Sequence, residues 1–452
     1  MTMATTGASA RFDLTVLRLA REIRAEVAEA IAARPGGETT GGAALTETAR
    51  RLVGRALDER VAGALAAGGS MPAPGYERAV SDLAIAMLFG LGVLQLYVDD
   101  PSVENIDVNG AERAYVTYAD GRKELVGPVA ESDEELIATV RAAGARFGLA
   151  ERRFDSAQPE LDLRLPDGSR LSAVMSVTER PVIDIRRHRL NDHCLADLVD
   201  LGMLDDELAT FLAAAVRAKR NLLVSGAMNA GKTTLLRALA AEIPSHERIV
   251  TIEQALELAL DRQVERHPDC VAMEARLPNI EGVGSISMAQ LVRRSLRMNA
   301  SRVIVGEVLG DEVIPMLNAM SQGRSGSMAT IHADSSVGVF RRIAAYAVQA
   351  PERLPLEATN LLIAGSIHFV VHVDIAERPG ASTDGAAGTR LRQVASVREV
   401  VDSEGPMIVS NEIWKPDLDG RARPAAPLRD ATAVALAAHG YDGRHFGARR
   451  SW

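Results

Sequence analysis

Asn221-Leu-Leu-Val-Ser225 runs directly into Gly226-Ala-Met-Asn-Ala-Gly231-Lys232-Thr233-Thr234, and these residues decide how the rest of the chain is read. The first run is short and apolar, as a buried strand is. The glycines that follow let the backbone turn tightly enough for several N–H groups to converge on one anion. Lys232 adds a compact positive charge suited to β- and γ-phosphates. The Thr233 hydroxyl suits Mg²⁺, which prefers hard oxygen ligands. Thr234-Leu-Leu-Arg-Ala-Leu-Ala-Ala241 then reads as a helix whose N-terminus points at the phosphates. Gly226, Asn229, Ala230, Gly231, Lys232, Thr233 and Thr234 are therefore the expected nucleotide-binding residues, with Thr233 also a metal ligand. Strand, loop, Lys-Thr and helix in this order predict an α/β domain.

Outward from this loop, the chain of 452 residues has room for two or three domains at roughly 150 residues each. Its 47% apolar and 25% charged content is that of a globular protein. A net charge of −9 argues against a nonspecific nucleic-acid coat, and no direct nucleic-acid contact is expected. Cys194 and Cys270 are the only cysteines, which offers neither a disulfide framework nor a zinc cluster and points to a reducing cytoplasm. Arg11, Asp13 and Arg18 interrupt any signal-peptide core. Residues 83–98 carry no charge but fall short of the roughly 20 residues of a spanning helix, and Asp82 and Asp99-Asp100 flank them. They predict a buried helix and turn.

Residues 1–75 read as an N-terminal helical region. An amphipathic helix over residues 11–33 places Leu14, Leu17, Ile23, Val27 and Ile31 near one stripe, and Leu45 to Leu65 forms a second helix. A break at Pro35 to Gly42 separates them, and Ala66 to Pro74 reads as a linker. This region is either a partner-docking module or a hairpin closing the next domain. Residues 76–190 mix short strands (Val103 to Asn109, Ala114 to Tyr118, Val182 to Arg186), a hairpin around Pro166-Asp-Gly168 and a helix from Glu134, a small α+β domain. Residues 191–452 alternate strands and helices, as in a parallel-rich sheet covered by helices. Arg248 to Ile252, Arg302 to Gly306 and Met328 to His332 are its further strands, and Ala289 to Arg297 and Glu312 to Gln322 its helices. A Gly/Ala loop is expected over Ala376 to Gly388, and an antiparallel ribbon from Arg392 to Val400 and Met407 to Trp414.

Several segments supply chemistry that phosphates demand. Thr251-Ile-Glu253-Gln254-Ala-Leu-Glu257 brings carboxylates to the C-terminal edge of a strand, where ligands bind in such sheets. Val303-Ile-Val-Gly306-Glu307 delivers another acid beside the loop, able to organise Mg²⁺ or polarise water. Thr330-Ile-His332 ends a strand in an imidazole that can sense a γ-phosphate or orient Glu307. Arg164, Arg170, Arg186 and Arg187 lie outside the nucleotide domain, and planar guanidinium groups suit bidentate phosphate contact.

These segments together resemble the secretion-ATPase superfamily of type II and type IV systems, and within it the CpaF-like ATPases of Flp (tight-adherence) pilus assembly. The resemblance spans roughly residues 76–415. Asp100-Pro-Ser-Val-Glu-Asn-Ile-Asp-Val-Asn-Gly110, Asp162-Leu-Arg-Leu-Pro-Asp-Gly-Ser-Arg170, the phosphate loop, Thr251-Ile-Glu253, Val305-Gly-Glu307 and Thr330-Ile-His332 carry it. It implies a RecA-like P-loop NTPase domain behind a smaller α+β domain, a homo-hexameric ring, and ATP with Mg²⁺ held between domains. Glu307 takes the place of the family's Walker B acid and His332 that of its histidine box. Glu253 and Glu257 match its acidic box, with Glu257 a metal ligand. Arg164 and Arg186 match N-domain arginines that reach the phosphates. Glu307, Glu253, His332, Arg164 and Arg186 are thus the expected catalytic residues.

The resemblance further implies a cytoplasmic enzyme peripheral to the inner face of the membrane, acting on an inner-membrane platform protein to power pilus assembly or secretion. Two other readings share these residues: a conjugation or DNA-transfer ATPase, and a nucleotide-gated regulator with little turnover. The absence of an Asn/Thr-Lys-x-Asp segment argues against a GTPase switch. Gln254 stands where the family has Asp, Asn299 and Leu309 where it has arginines, and Arg324-Ser325 where it has His-Asp. These departures predict ATP binding of ordinary strength with a low basal rate.

Overall fold

The computed structural model describes residues 14–33, 42–148, 153–187, 193–279, 281–323, 325–378 and 389–443. It divides into two compact units, Met1–Arg189 and Leu190–Trp452. Most of the expected break at residues 35–42, residues 379–388 of the expected loop, and Arg324 lie outside the described residues.

The first unit contains α1 (Leu14–Ala32), α2 (Gly42–Ala66), α3 (Tyr76–Phe89), α4 (Leu94–Asp99) and α5 (Asp133–Phe147). Its strands are β1 (Val103–Asn109), β2 (Ala114–Tyr118), β3 (Lys123–Gly127), β4 (Glu160–Arg164), β5 (Arg170–Val174) and β6 (Val182–Arg186). They form one antiparallel sheet in the order β3-β2-β1-β6-β5-β4. Alternate residues face its core: Ile106 and Val108, Leu161 and Leu163, Ile183 and Ile185. Ile23 and Val27 of α1 and Val53 and Leu57 of α2 are buried in that same core with Val80 and Leu83 of α3. The N-terminal helices therefore complete the core of the α+β unit. The uncharged stretch at 83–98 bends at Gly92 (φ 59), and the Gln95 side chain accepts the Leu91 N–H, so it is a helix, a turn and a short helix. Among the described residues no helix is long and apolar enough to cross a membrane.

The second unit contains α6 (Leu195–Asp200), α7 (Asp206–Arg217), α8 (Lys232–Ala240), α9 (Met288–Ser295), α10 (Val313–Ser321), α11 (Gly338–Gln349), α12 (Leu356–Ser366) and α13 (Asp430–Ala437). Its strands are β7 (Leu222–Gly226), β8 (Ile249–Glu253), β9 (Cys270–Glu274), β10 (Arg302–Val308), β11 (Met328–His332), β12 (Phe369–Arg378), β13 (Thr389–Glu404), β14 (Met407–Pro416) and β15 (Ala422–Pro424). They form a sheet in the order β15-β14-β13-β12-β7-β11-β10-β8-β9. From β12 to β9 every pairing is parallel, and from β12 to β15 every pairing is antiparallel. This is a parallel-rich α/β sheet, and the expected ribbon extends it. Residues 376–378 are strand, where a loop was expected.

β7 is buried along its whole length, between β12 and β11. Two cores cover the sheet, one of them built around Phe211 of α7. Phe211 meets Phe369, Trp414 and Tyr441 with ring centroids 5.1, 4.4 and 5.3 Å away. The N-cap of α7 is Asp205, whose carboxylate accepts the Leu208 N–H at 2.9 Å.

Candidate functional site

The loop leaves β7 at Gly226, where a Cβ would stand 2.3 Å from the Val373 carbonyl oxygen of β12, so only glycine fits. Asn229 (φ 60) and Gly231 (φ 95) both take the left-handed conformation. Gly231 is the N-cap of α8, and no side chain caps it. The first turn of α8 and the positive end of its dipole therefore lie at the loop, an arrangement that suits an anion. Thr233 and Thr234 lie half-buried on its first turn, and Ala230 is buried behind it.

Lys232, Glu307 and His332 are brought together. In the β11–β7 register His332 pairs with Gly226, which sets the imidazole beside the loop. Between Val305 and Val308 the β10–β11 register shifts, and the Thr330 hydroxyl donates to the Gly306 carbonyl at 2.6 Å. This irregularity aims Glu307 at His332. The Lys232 ammonium donates to the Ala227 carbonyl at 2.9 Å and to His332 Nδ1 at 3.1 Å. His332 Nε2 lies 2.7 Å from Glu307 Oε1. Since an ammonium only donates, Nδ1 accepts and Nε2 carries the proton shared with Glu307. The result is a hydrogen-bonded line from ammonium through imidazole to carboxylate. Phosphate oxygens can take the ammonium from it.

Glu253 stands apart from that line. It is only 2% exposed. Its Oε2 accepts the N–H groups of Glu257 and Leu258 at 2.7 and 2.8 Å, and the Thr251 hydroxyl lies 3.4 Å from Oε1. Burial pushes its pKa up to about 7 against the pull of those donors. A Cβ on Gly306 would stand 2.8 Å from Glu253 Cγ, so the two residues interlock. In this arrangement both oxygens face the chain's own donors. Glu257 and Gln254 lie on the loop that Glu253 ties down, the first half-buried and the second exposed.

The departures from the family pattern have local settings. Asn299 has φ 53, a left-handed conformation that asparagine adopts more readily than arginine. The N–H groups of Leu309 and Gly310 donate to the carboxylate of Glu312, which is buried, so the segment after Glu307 is capped by its own chain. In the first unit, Arg164, Arg170 and Arg186 occupy adjacent registers of β4, β5 and β6, so three arginines line one face of the sheet. Arg164 is half-buried and Arg186 exposed.

Two side chains that no motif marks also belong to the loop. His372 on β12, buried and kept neutral chiefly by desolvation, has its Nδ1 3.0 Å from the hydroxyl of Ser225. Arg392 on β13 touches the far side of the loop. Only strand order brings either of them near.

A loop of this geometry on an α/β sheet, with an acid and an imidazole at neighbouring strand ends, defines a nucleotide-binding P-loop domain. The chain belongs to the type II/IV secretion system protein family, whose profile matches residues 90–381. A "Putative conjugal transfer protein" of Mycobacterium tuberculosis (strain ATCC 25618 / H37Rv) is 32% identical over 352 residues, 76% of this chain and 93% of the relative. The type IV secretion system protein VirB11 of Brucella suis biovar 1 is 28% identical over 321 residues, 64% of this chain and 86% of the relative. Among solved structures, the VirB11 ATPase of Brucella suis in complex with sulphate is 26% identical and covers 69% of this chain and 97% of its own, with a TM-score of 0.34. The ATPase DotB of Legionella pneumophila is 18% identical and covers 70% and 81%, with a TM-score of 0.49.

Proposed function

We propose that this chain is the ATP-hydrolysing motor of a type II/IV secretion-type machine, of the CpaF-like kind that assembles Flp pili. The observation that carries this reading is the Lys232–His332–Glu307 line beneath an uncapped helix N-terminus. Six copies form a ring at the inner face of the membrane and act on a platform protein there. Gly226, Asn229, Ala230, Gly231, Lys232, Thr233 and Thr234 would hold the phosphates, and Thr233 with Glu257 would hold Mg²⁺, which would supply neutralisation of phosphate charge. Lys232 leaves His332 for the phosphates. His332 then orients Glu307, which positions the attacking water and takes up its proton. Arg164 and Arg186 add positive charge at the phosphates. Glu253 acts as a brace behind Gly306, and Gln254 with Leu309 and Asn299 sets a low basal rate.

A second reading, transfer of DNA between cells, is favoured by the description of the mycobacterial relative. Pilin and platform genes beside this gene support the first reading, and relaxase genes the second.

The test is phosphate release by the purified chain with ATP and Mg²⁺, with and without lipid vesicles. Lys232→Ala is expected to lose nucleotide binding with its fold intact. Glu307→Gln is expected to bind ATP but turn over at least about 100-fold more slowly, as for loss of a positioned acid–base group. Calorimetry showing unchanged affinity in Lys232→Ala removes the loop from the mechanism.

A further inference from the structure

Arg392 lies across the phosphate loop from the C-terminal ribbon. In β13 it pairs with Ile375 of β12, and it is 163 residues from Asn229 in sequence. Its Nε donates to the Asn229 carbonyl at 2.8 Å. Its Cδ passes 3.4 Å from where a Cβ on Gly231 would stand, sharing that spot with the Met203 methyl carbon, also at 3.4 Å. Side-chain stem and guanidinium thus engage two successive parts of the loop. Both parts carry left-handed backbone, φ 60 at Asn229 and φ 95 at Gly231. For Asn229, unlike glycine, that conformation costs free energy and persists where the surroundings hold it, and a charge-assisted hydrogen bond to its own carbonyl is a strong hold.

We propose that Arg392 is a positioning residue for the phosphate loop, holding the Asn229–Gly231 backbone in its anion-facing arrangement before nucleotide arrives. The inference rests on the reading of the loop as a nucleotide site. It adds that the ribbon outside the phosphate-binding motif tunes affinity. Arg392 touches the loop backbone and neither Glu307 nor His332, so it acts on binding and leaves the chemical step alone. Pre-organisation of this kind strengthens ATP and ADP alike.

The experiment titrates the fluorescent nucleotide mant-ADP, and ATP in competition, into the full chain as wild type, Arg392→Ala, Arg392→Met and Arg392→Lys. Arg392→Met keeps the stem over Gly231 and removes only the guanidinium. Both Ala and Met variants are expected to weaken both nucleotides about tenfold, the scale of one charge-assisted hydrogen bond. Lys restores part of the loss, since an ammonium also donates. At saturating ATP, kcat stays within about twofold of wild type. Amide hydrogen exchange over residues 227–231 of the nucleotide-free Arg392→Met protein quickens, while β7 exchanges as in wild type. A wild-type chain that binds no mant-ADP overturns the reading of the loop and this inference with it. Wild-type binding with an unchanged Kd in Arg392→Met overturns this inference alone, as does a loss confined to kcat.

Discussion

Glu253 is a carboxyl that folding makes harder to ionise, and this gives the site a pH dependence of definite sign. Its folded-state value of about 7 lies above the ordinary 4.5, so the folded chain binds the proton more tightly than the unfolded one. The cost to stability is absent below about pH 4.5, grows as pH rises, and is complete above about pH 7. Glu253→Gln keeps an oxygen for the Glu257 and Leu258 N–H groups and abolishes the ionisation. Its unfolding free energy from urea titration is expected to lie near that of wild type at pH 5 and above it at pH 8, by up to about 3 kcal/mol. A difference that shrinks as pH rises rules out the assignment. At this scale the loop residues were legible in the sequence, because each obeys a local demand: glycine for backbone approach, lysine for charge, threonine for oxygen. The brace role of Glu253 was not, since a carboxylate at a strand end looks the same whether it faces a ligand or the back of Gly306. Arg392 and His372 had no local signal at all.

β10 shows how one strand carries Glu307, the acid of the proposed mechanism. Its N-terminal half pairs regularly with β8 and β11, and the register then shifts at Gly306, where the Thr330 hydroxyl holds the carbonyl. Gly306→Ala sets a methyl 2.8 Å from Glu253 Cγ, on a side chain that is fully enclosed. The expected result is a loss of about 1–3 kcal/mol in stability, as for overpacking, together with a fall in turnover, because Glu307 is the next residue. Denaturation and phosphate release on the same preparation check this. Lost stability with wild-type turnover would show that the irregularity does not aim Glu307. β7, β8, β10 and β11 were legible as short apolar runs bounded by turn residues. β9 was missed: its apolar run, Cys270-Val-Ala-Met273, is only four residues long, and all five of its residues are half-buried. β12 was missed, although Phe369-Val-Val-His-Val is apolar enough. It follows α12 with a single residue at its C-cap and one more between, leaving no turn cluster to announce it.

The whole molecule joins a unit that reads as the phosphate site to a unit that presents a row of arginines. Arg164, Arg170 and Arg186 stand side by side across β4, β5 and β6, and planar guanidinium groups suit phosphate contact. In the proposed motor Arg164 and Arg186 supply positive charge to the phosphates. Arg164→Ala and Arg186→Ala are each expected to lower turnover at least about tenfold, while nucleotide affinity changes less than about threefold. Equal losses in both quantities would make the row a binding element only. The sequence reading set a boundary near residue 190, where strand–helix alternation begins, and kept residues 1–75 as a separate helical region. The sharing of one core by the N-terminal helices and the α+β sheet was not legible, since an amphipathic stripe does not name the surface it covers. The aromatic packing around Phe211 has an optical consequence. Both tryptophans of the chain, Trp414 and Trp452, belong to the second unit, and Trp414 is fully enclosed. Tryptophan emission is therefore blind to the first unit, while circular dichroism sees both. ADP at about 100 times its Kd is expected to raise the emission-detected melting transition by a few degrees, the effect of about 2.7 kcal/mol of linkage. A melt followed by both signals then separates the second unit's transition from that of the whole chain.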